Sequence, residues 1–296
     1  LYRNLRNNYG FAASFGYIHE LKMIIMKKFI AIIMLAAMSL ADARAEERTL
    51  EYKFGDIKGI ATVQSQVIPY EIHVTQGKSK DVKVVYDTEL EKNIEDFEKY
   101  IKVDYSSANS TLILGMNPFP RRIEKFKMRF QTSPIKVYVE MDEIDGIDLS
   151  GASVIYFEGS FTTDSFEADL SGASKFGNTL NISGKELDVD CSGAAIASIA
   201  GDFRKVELDL SGAVKMYLGG SHGSCEMDCS GAANIEMEGK ADTFVIDGSG
   251  ACKVNGKEYF TEKAYIELSG ACSVMIQVSE ELKHDVATAC KLTYFG

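Results

Sequence analysis

A tripeptide constrains what this chain can fold into more than any other feature. Ser-Gly-Ala begins at Ser150, Ser171, Ser192, Ser211, Ser230, Ser249 and Ser269, so successive copies lie 21, 21, 19, 19, 19 and 20 residues apart. A fixed period of about 20 residues marks a repeat architecture in which one short unit stacks on the next. The residues leading into each copy say what the unit is made of. Phe166-Glu-Ala-Asp-Leu170, Leu187-Asp-Val-Asp-Cys191, Val206-Glu-Leu-Asp-Leu210 and Cys225-Glu-Met-Asp-Cys229 alternate apolar and polar residues, the period of a strand with one buried face. A second alternating stretch follows each tripeptide. Its inward positions are Ile155, Phe176, Ala197, Met216, Ile235, Val254 and Val274, and Gly159, Gly201, Gly219, Gly239 and Gly256 punctuate what comes next. No unit has room for a helix of ordinary length.

A strand-turn-strand unit cannot bury its apolar face alone, but a stack of them buries it in one inner column. The expected fold is therefore all-β: a single-stranded parallel β-helix, or solenoid, with coils of about 20 residues. The crossover rule makes it right-handed. Ser-Gly-Ala becomes the corner of each coil. Gly151, Gly172, Gly193, Gly212, Gly231, Gly250 and Gly270 supply a backbone angle that other residues resist. Ala is small enough to sit above another Ala, and Ser can bond the turn backbone.

The two ends differ from the repeats. His284-Asp-Val-Ala-Thr-Ala-Cys290-Lys-Leu292 fits one more coil that has lost its Ser-Gly, with Asp285 and Cys290 in the expected columns. A degraded last repeat is what capping requires. Residues 46–146 read as an irregular β lead-in that caps the solenoid of residues 147–296 within one domain. Strand patterns occur there at Val67–Thr75, Val82–Tyr86, Tyr100–Tyr105, Thr111–Gly115, Phe126–Phe130 and Ile135–Met141. Ser106–Ser110 reads as a hairpin turn, Glu89–Lys99 as a short helix and Pro118–Arg122 as a loop. Ahead of this, Met26-Lys27-Lys28, the apolar run Phe29–Leu40 and Ala43-Arg44-Ala45 have the order of a secretory signal peptide over residues 26–45, cut between Ala45 and Glu46. Residues 1–25 then read as an upstream extension before the true start at Met26. No later apolar run is long enough to cross a membrane as a helix.

Charge narrows the partners. The chain carries 32 Lys and Arg against 43 Asp and Glu. Without residues 1–45 it loses six of the bases and two of the acids, for a net charge near −15. That balance excludes nucleic acid and anionic lipid surfaces as general partners, since both need broad basic patches. The oligomeric state is left open.

The lead-in Val67-Ile-Pro-Tyr-Glu-Ile-His-Val-Thr-Gln-Gly77, the run Ile135-Lys-Val-Tyr-Val-Glu-Met141 into Ile147-Asp-Leu-Ser-Gly-Ala152, and the repeats behind an export signal together resemble one family. It is the auto-transporter adhesin, head GIN domain family, a domain of unknown function. The resemblance covers about residues 50–292. It implies an exported adhesin-like β-solenoid and carries no catalytic motif onto any position here. No membrane-spanning β-barrel region follows the repeats, which departs from an auto-transporter.

Three features carry candidate chemistry. Asp148, Asp169, Asp190, Asp209, Asp228, Asp247 and Glu267 stand two residues before each corner Ser, with Asp285 in the last coil. Glu167, Asp188, Glu207 and Glu226 add a parallel line. This acidic column is the candidate ligand face. The sharper reading is that Ca²⁺ bridges the carboxylates, since hard cations collect carboxylate oxygens. The plainer one is a solvated face that prevents sideways pairing of the sheet. The Gly-Gly-x-Gly-x-Asp repeat of calcium-loaded solenoids is absent. The six cysteines, Cys191, Cys225, Cys229, Cys252, Cys272 and Cys290, all occupy small or apolar positions and read as stacked free thiols rather than a disulfide framework. Gly219-Gly-Ser221-His-Gly223 has the spacing of a nucleophile elbow without the helix that motif needs.

The functional expectation is non-catalytic. It is an exported periplasmic or surface recognition protein, an adhesin presenting repeated polar side chains to a glycan or a matrix ligand, with no catalytic residues and no resident metal. The alternatives are a periplasmic scaffold and, on fold analogy alone, a polysaccharide lyase or hydrolase.

Overall fold

The computed structural model describes residues 47–63, 68–88, 95–118 and 133–296. The leader, the Ala45–Glu46 cleavage site, the strand pattern at 126–130 and most of the 89–99 segment lie outside the described residues. Within them, Glu47–Gly296 forms one compact unit.

Seven strands precede the repeats: β1 (Glu47–Lys53), β2 (Gly59–Thr62), β3 (Tyr70–Gln76), β4 (Asp81–Asp87), β5 (Ile101–Ser106), β6 (Thr111–Met116) and β7 (Ile135–Met141). The first repeats hold β8 (Gly146–Leu149), β9 (Val154–Glu158), β10 (Ser160–Thr162), β11 (Ser165–Leu170), β12 (Lys175–Phe176), β13 (Leu180–Cys191), β14 (Ile196–Ala200) and β15 (Phe203–Gly212). Longer strands follow, β16 (Lys215–Gly231), β17 (Asn234–Gly248), β18 (Lys253–Leu268) and β19 (Ser273–Val286), and then β20 (Lys291–Phe295).

Every pairing within the repeats is parallel, and it joins each coil to the next in the register that the tripeptide spacing requires. The chain is a parallel β-solenoid. One sheet is built from the strands that run into each corner, and a second from the strands that leave it. The second-sheet column Ile155, Phe176, Ala197, Met216, Ile235, Val254, Val274 is fully buried. So are Phe166, Leu187, Val206, Cys225, Phe244 and Ala264 in the first. These two columns meet in the core.

The corners explain the tripeptide. Each corner glycine has positive φ, from +74° at Gly172 to +93° at Gly212. A Cβ on Gly172 would also lie 2.7 Å from the carbonyl oxygen of Gly151 in the coil before it. That carbonyl is occupied: it accepts a hydrogen bond from the Ala173 N–H, and Gly172, Gly193, Gly212, Gly231 and Gly250 repeat the bond to the next coil's alanine. Glycine is thus required both by its angle and by close backbone approach. The alanines point outward, and the residue after each one is buried. The serine hydroxyl reaches back a coil instead of bonding its own turn: Ser171 donates to Leu149 O, and Ser211 to Cys191 O.

The lead-in is irregular in its connectivity rather than its strands. β2 pairs in parallel with β8 on one side and β6 on the other, while β3 pairs with β9 and β7. β2 and β3 therefore form one layer of the stack, and β6 with β7 forms another beyond it. Antiparallel β4 and β1 extend the second sheet past β7, and β5 extends the first past β6 across the hairpin at Ser106–Ser110. Between β4 and β5 a 3-10 helix, Phe97–Tyr100, buries Phe97 completely and packs its ring on Tyr86. Ser150 locks the first corner to this lead-in: its N–H donates to Thr62 Oγ1 at 2.7 Å, and its hydroxyl donates to Thr62 O. Among the described residues no helix is long and apolar enough to cross a membrane.

Candidate functional site

Parallel in-register strands put identical outward positions about 4.8 Å apart. The acidic column forms in this way: Asp148, Asp169, Asp190, Asp209, Asp228, Asp247, Glu267 and Asp285 are consecutive partners in one ladder. Glu167, Asp188, Glu207 and Glu226 form a second ladder beside it on the same face. Partial burial, then the like charges of neighbouring coils, push the carboxyls of Asp148, Asp169, Asp188, Asp190 and Asp228 above the ordinary aspartate value. A shallow groove of about 550 Å³ follows the ladder from Asp169 to Ser249, between the acids and the corner serines. Among the described residues no three His, Cys, Asp or Glu side chains converge as a metal site. The carboxylates point outward side by side instead of inward on a common centre.

The outer face of the second sheet carries a different pattern. Lys175, Lys215, Lys253 and Lys291 occupy one column in alternate coils, separated by Ile196, Asn234 and Ser273. All four are exposed, and none has an ion-pair partner among the described residues. At the lead-in end of the neighbouring column the rings of Tyr138, His73 and Tyr156 stack, with centroids 4.9 and 5.2 Å apart. The second sheet thus carries a lysine column on its outer face where the first sheet carries the acidic ladder. Sequence reasoning missed the lysine ladder because its true period is two coils, and because the residues in between share no chemistry.

The comparisons with known proteins agree with this architecture. The family described as "Putative auto-transporter adhesin, head GIN domain" matches residues 68–219 and 202–296. The chain belongs to this family. Among solved structures, a Bacteroides fragilis protein titled a putative adhesin is similar, at 15% identity and a TM-score of 0.53, covering 85% of this chain and 98% of that one. A Parabacteroides distasonis protein with the same title matches at 12% identity and a TM-score of 0.58, over 85% and 98% of the two chains. A second protein from that organism, titled a putative lipid binding protein, matches at 12% identity and a TM-score of 0.55, over 86% and 98%. At these identities the likeness is one of fold. No curated protein matches significantly.

The interior of this GIN-domain chain holds the remaining chemistry. All six cysteines are free, and all but Cys290 are buried. Cys252 and Cys272 take the column of Ser153 and Ser174, and their thiols donate to the corner carbonyls of Ser249 and Ser269 as those hydroxyls do to Ser150 and Ser171. Burial pushes the Cys191 and Cys225 thiols up to about 12, which leaves them unreactive. The Gly219–Gly223 segment lies wholly inside β16, with strand on both sides. His222 faces the core there, and Ser221 faces out.

His222 is a buried group that sequence reasoning did not place. Its Nδ1 and the Tyr259 hydroxyl share a 2.7 Å hydrogen bond, and that hydroxyl also lies against Cys225. Its Nε2 is buried and has no hydrogen-bond partner among the described residues. Desolvation lowers the imidazole to about 4. Tyr259 reaches this position because β18 has one residue more than β17 between Asn255 and Glu258, a bulge that turns the ring inward opposite Gly239. The 20-residue spacing before Ser269 was the only signal of it.

Proposed function

We propose that this chain is a non-catalytic recognition protein of the cell envelope, exported after loss of its leader, with residues 46–296 acting as one adhesin domain. One observation carries the reading: the acidic ladder repeats the same carboxylate at the same outward position from Asp148 to Asp285. A rigid row of equal acceptors, one per coil, suits a ligand that also repeats, such as a glycan whose hydroxyls donate to successive carboxylates. Weak contacts then multiply along the row. Family membership supports the adhesin part of the reading. The groove beside the ladder weighs against cleavage chemistry, because Asp and Ser of successive coils line it equally and no carboxyl pair is set apart as acid and base.

The test has two arms. Antibody accessibility on intact against lysed cells is expected to find the domain exposed. A glycan and matrix-protein screen is expected to find a ligand whose binding falls in Asp190→Asn/Asp209→Asn and survives Lys215→Ala on the other face. Protection until lysis overturns the adhesin reading in favour of a periplasmic scaffold. Binding that is lost in Lys215→Ala and kept in the aspartate variant moves the site to the lysine face.

A further inference from the structure

The two ends of the solenoid are finished differently. At the lead-in end, antiparallel β1 and β5 close the sheets and Phe97 plugs the core. At the other end the interior layer of the last coil lies open. By register, Leu282, His284 and Val286 occupy the inward columns of Ala264, Ile266 and Leu268, and Leu292 and Tyr294 those of Val274 and Ile276. The earlier residues are at most 4% exposed. In the last coil Leu282, Val286 and Leu292 are only half-buried, His284 is exposed and Tyr294 is 57% exposed. Among the described residues no strand pairs with the outer edge of β20 or of residues 281–286. A solenoid end that exposes both its core and its strand edges calls for a cover.

We propose that a second copy of this chain covers it, joining two solenoids end to end through their last coils about a two-fold axis. A two-fold perpendicular to the solenoid axis lays a last strand antiparallel on its own copy, and it pairs both free edges at once where His284 and Thr293 share that axis. The side chains fit that operation. Centred on His284, the pairing sets Leu282 against Val286 on the inward side and Lys283 against Asp285 on the outward side, twice over. In β20, centring on Thr293 sets Leu292 against Tyr294 inward. Lys283 pairs with Glu281 of its own strand in the single chain, and the second copy's Asp285 adds another carboxylate to it. The joined particle would carry two continuous copies of every outer column, which goes beyond the recognition role proposed above and does not depend on it.

Sedimentation velocity of the chain over a concentration series tests this. A reversible dimer is expected. Leu292→Asp should dissociate it, while circular dichroism and melting report whether the last coil still folds. Charge exchange provides the second measurement and leaves the core untouched. Lys283→Glu and Asp285→Lys should each weaken the dimer by roughly tenfold through facing like charges, and the double exchange should restore it. A monomer at every concentration overturns the proposal. So does a dimer indifferent to these changes, or a monomer whose residues 281–295 are already protected from hydrogen exchange by another part of the chain.

Discussion

The Ser-Gly-Ala corner and the acidic ladder lie two residues apart on the same strands and are copied in the same register, yet stacking acts on them with opposite sign. At the corner each added coil completes a hydrogen bond from an alanine N–H to a glycine carbonyl, so repetition stabilises. At the ladder each added coil brings another carboxylate about 4.8 Å from the last, so repetition repels. Parallel in-register stacking multiplies whatever a position contains. The corner accounts for the fold, and the ladder persists against the fold's own electrostatics.

The comparison can be broken most severely at the corner. In Gly231→Ala the new Cβ would lie 2.6 Å from the Gly212 carbonyl oxygen at φ +91°. Strain in both angle and contact should cost about 3 kcal/mol, read as a lowered denaturation midpoint. The corner's hydroxyl ladder matters less. The single Ser174 hydroxyl proton lies between Leu149 O and Ser171 O in a fully buried position, so Ser174→Ala should cost about 1 kcal/mol.

The ladder should respond in the opposite direction. Asp190→Asn/Asp209→Asn is expected to stabilise the protein at pH 7 by on the order of 0.5 kcal/mol, a small effect because both groups are solvent-screened. The pH dependence gives the sign. For a carboxyl raised in the folded state, the stabilising contribution is complete below the ordinary aspartate value and lost as pH rises through the raised one. The advantage of the double variant should therefore shrink as pH falls from 7 toward 4. His222, lowered to about 4, pulls the other way in both proteins, since the unfolded chain takes up its proton first, and it cancels in their difference. An advantage that grows on acidification would refute the repulsion account. The smallest effect is expected from calcium. With no convergent ligand set among the described residues, melting in chelator and in millimolar Ca²⁺ should coincide, and a clear upward shift with calcium would restore the bridging reading.

The repeats were legible from the sequence because one period carried the same information many times. Ile155 through Val274, the Asp148–Asp285 ladder and the Cys252–Cys272–Cys290 column all follow from tripeptide spacing and alternation. Ile135–Met141, with strict alternation, was legible to the residue. β1 and β2 were not. β1 opens on three exposed residues, Glu47 to Thr49, so only Leu50 and Tyr52 carry its alternation, and β2 has only four residues. The inward turn of Tyr259 was hidden because one extra residue in a coil does not say where the bulge falls. The end-to-end surface could not be read at all, since Leu282 and Val286 follow the same alternation as the buried residues they copy.

The layer formed by β2 and β3 lies between partners that the chain has not yet reached. Within the repeats, nearest neighbours are about one coil apart in sequence, so ordering can start at any pair and spread. Ile60, however, lies beside Leu112 and Ile147, and Ile72 beside Val137 and Ile155. The first layer in sequence is thus the highest in contact order, and closing it bears the largest loop entropy. Ordering is therefore expected to start within the repeats, with β2 and β3 docking last. A chain emerging amino end first would leave β2 and β3 without one of their two neighbours until Ile147 and Ile155 arrive to template them.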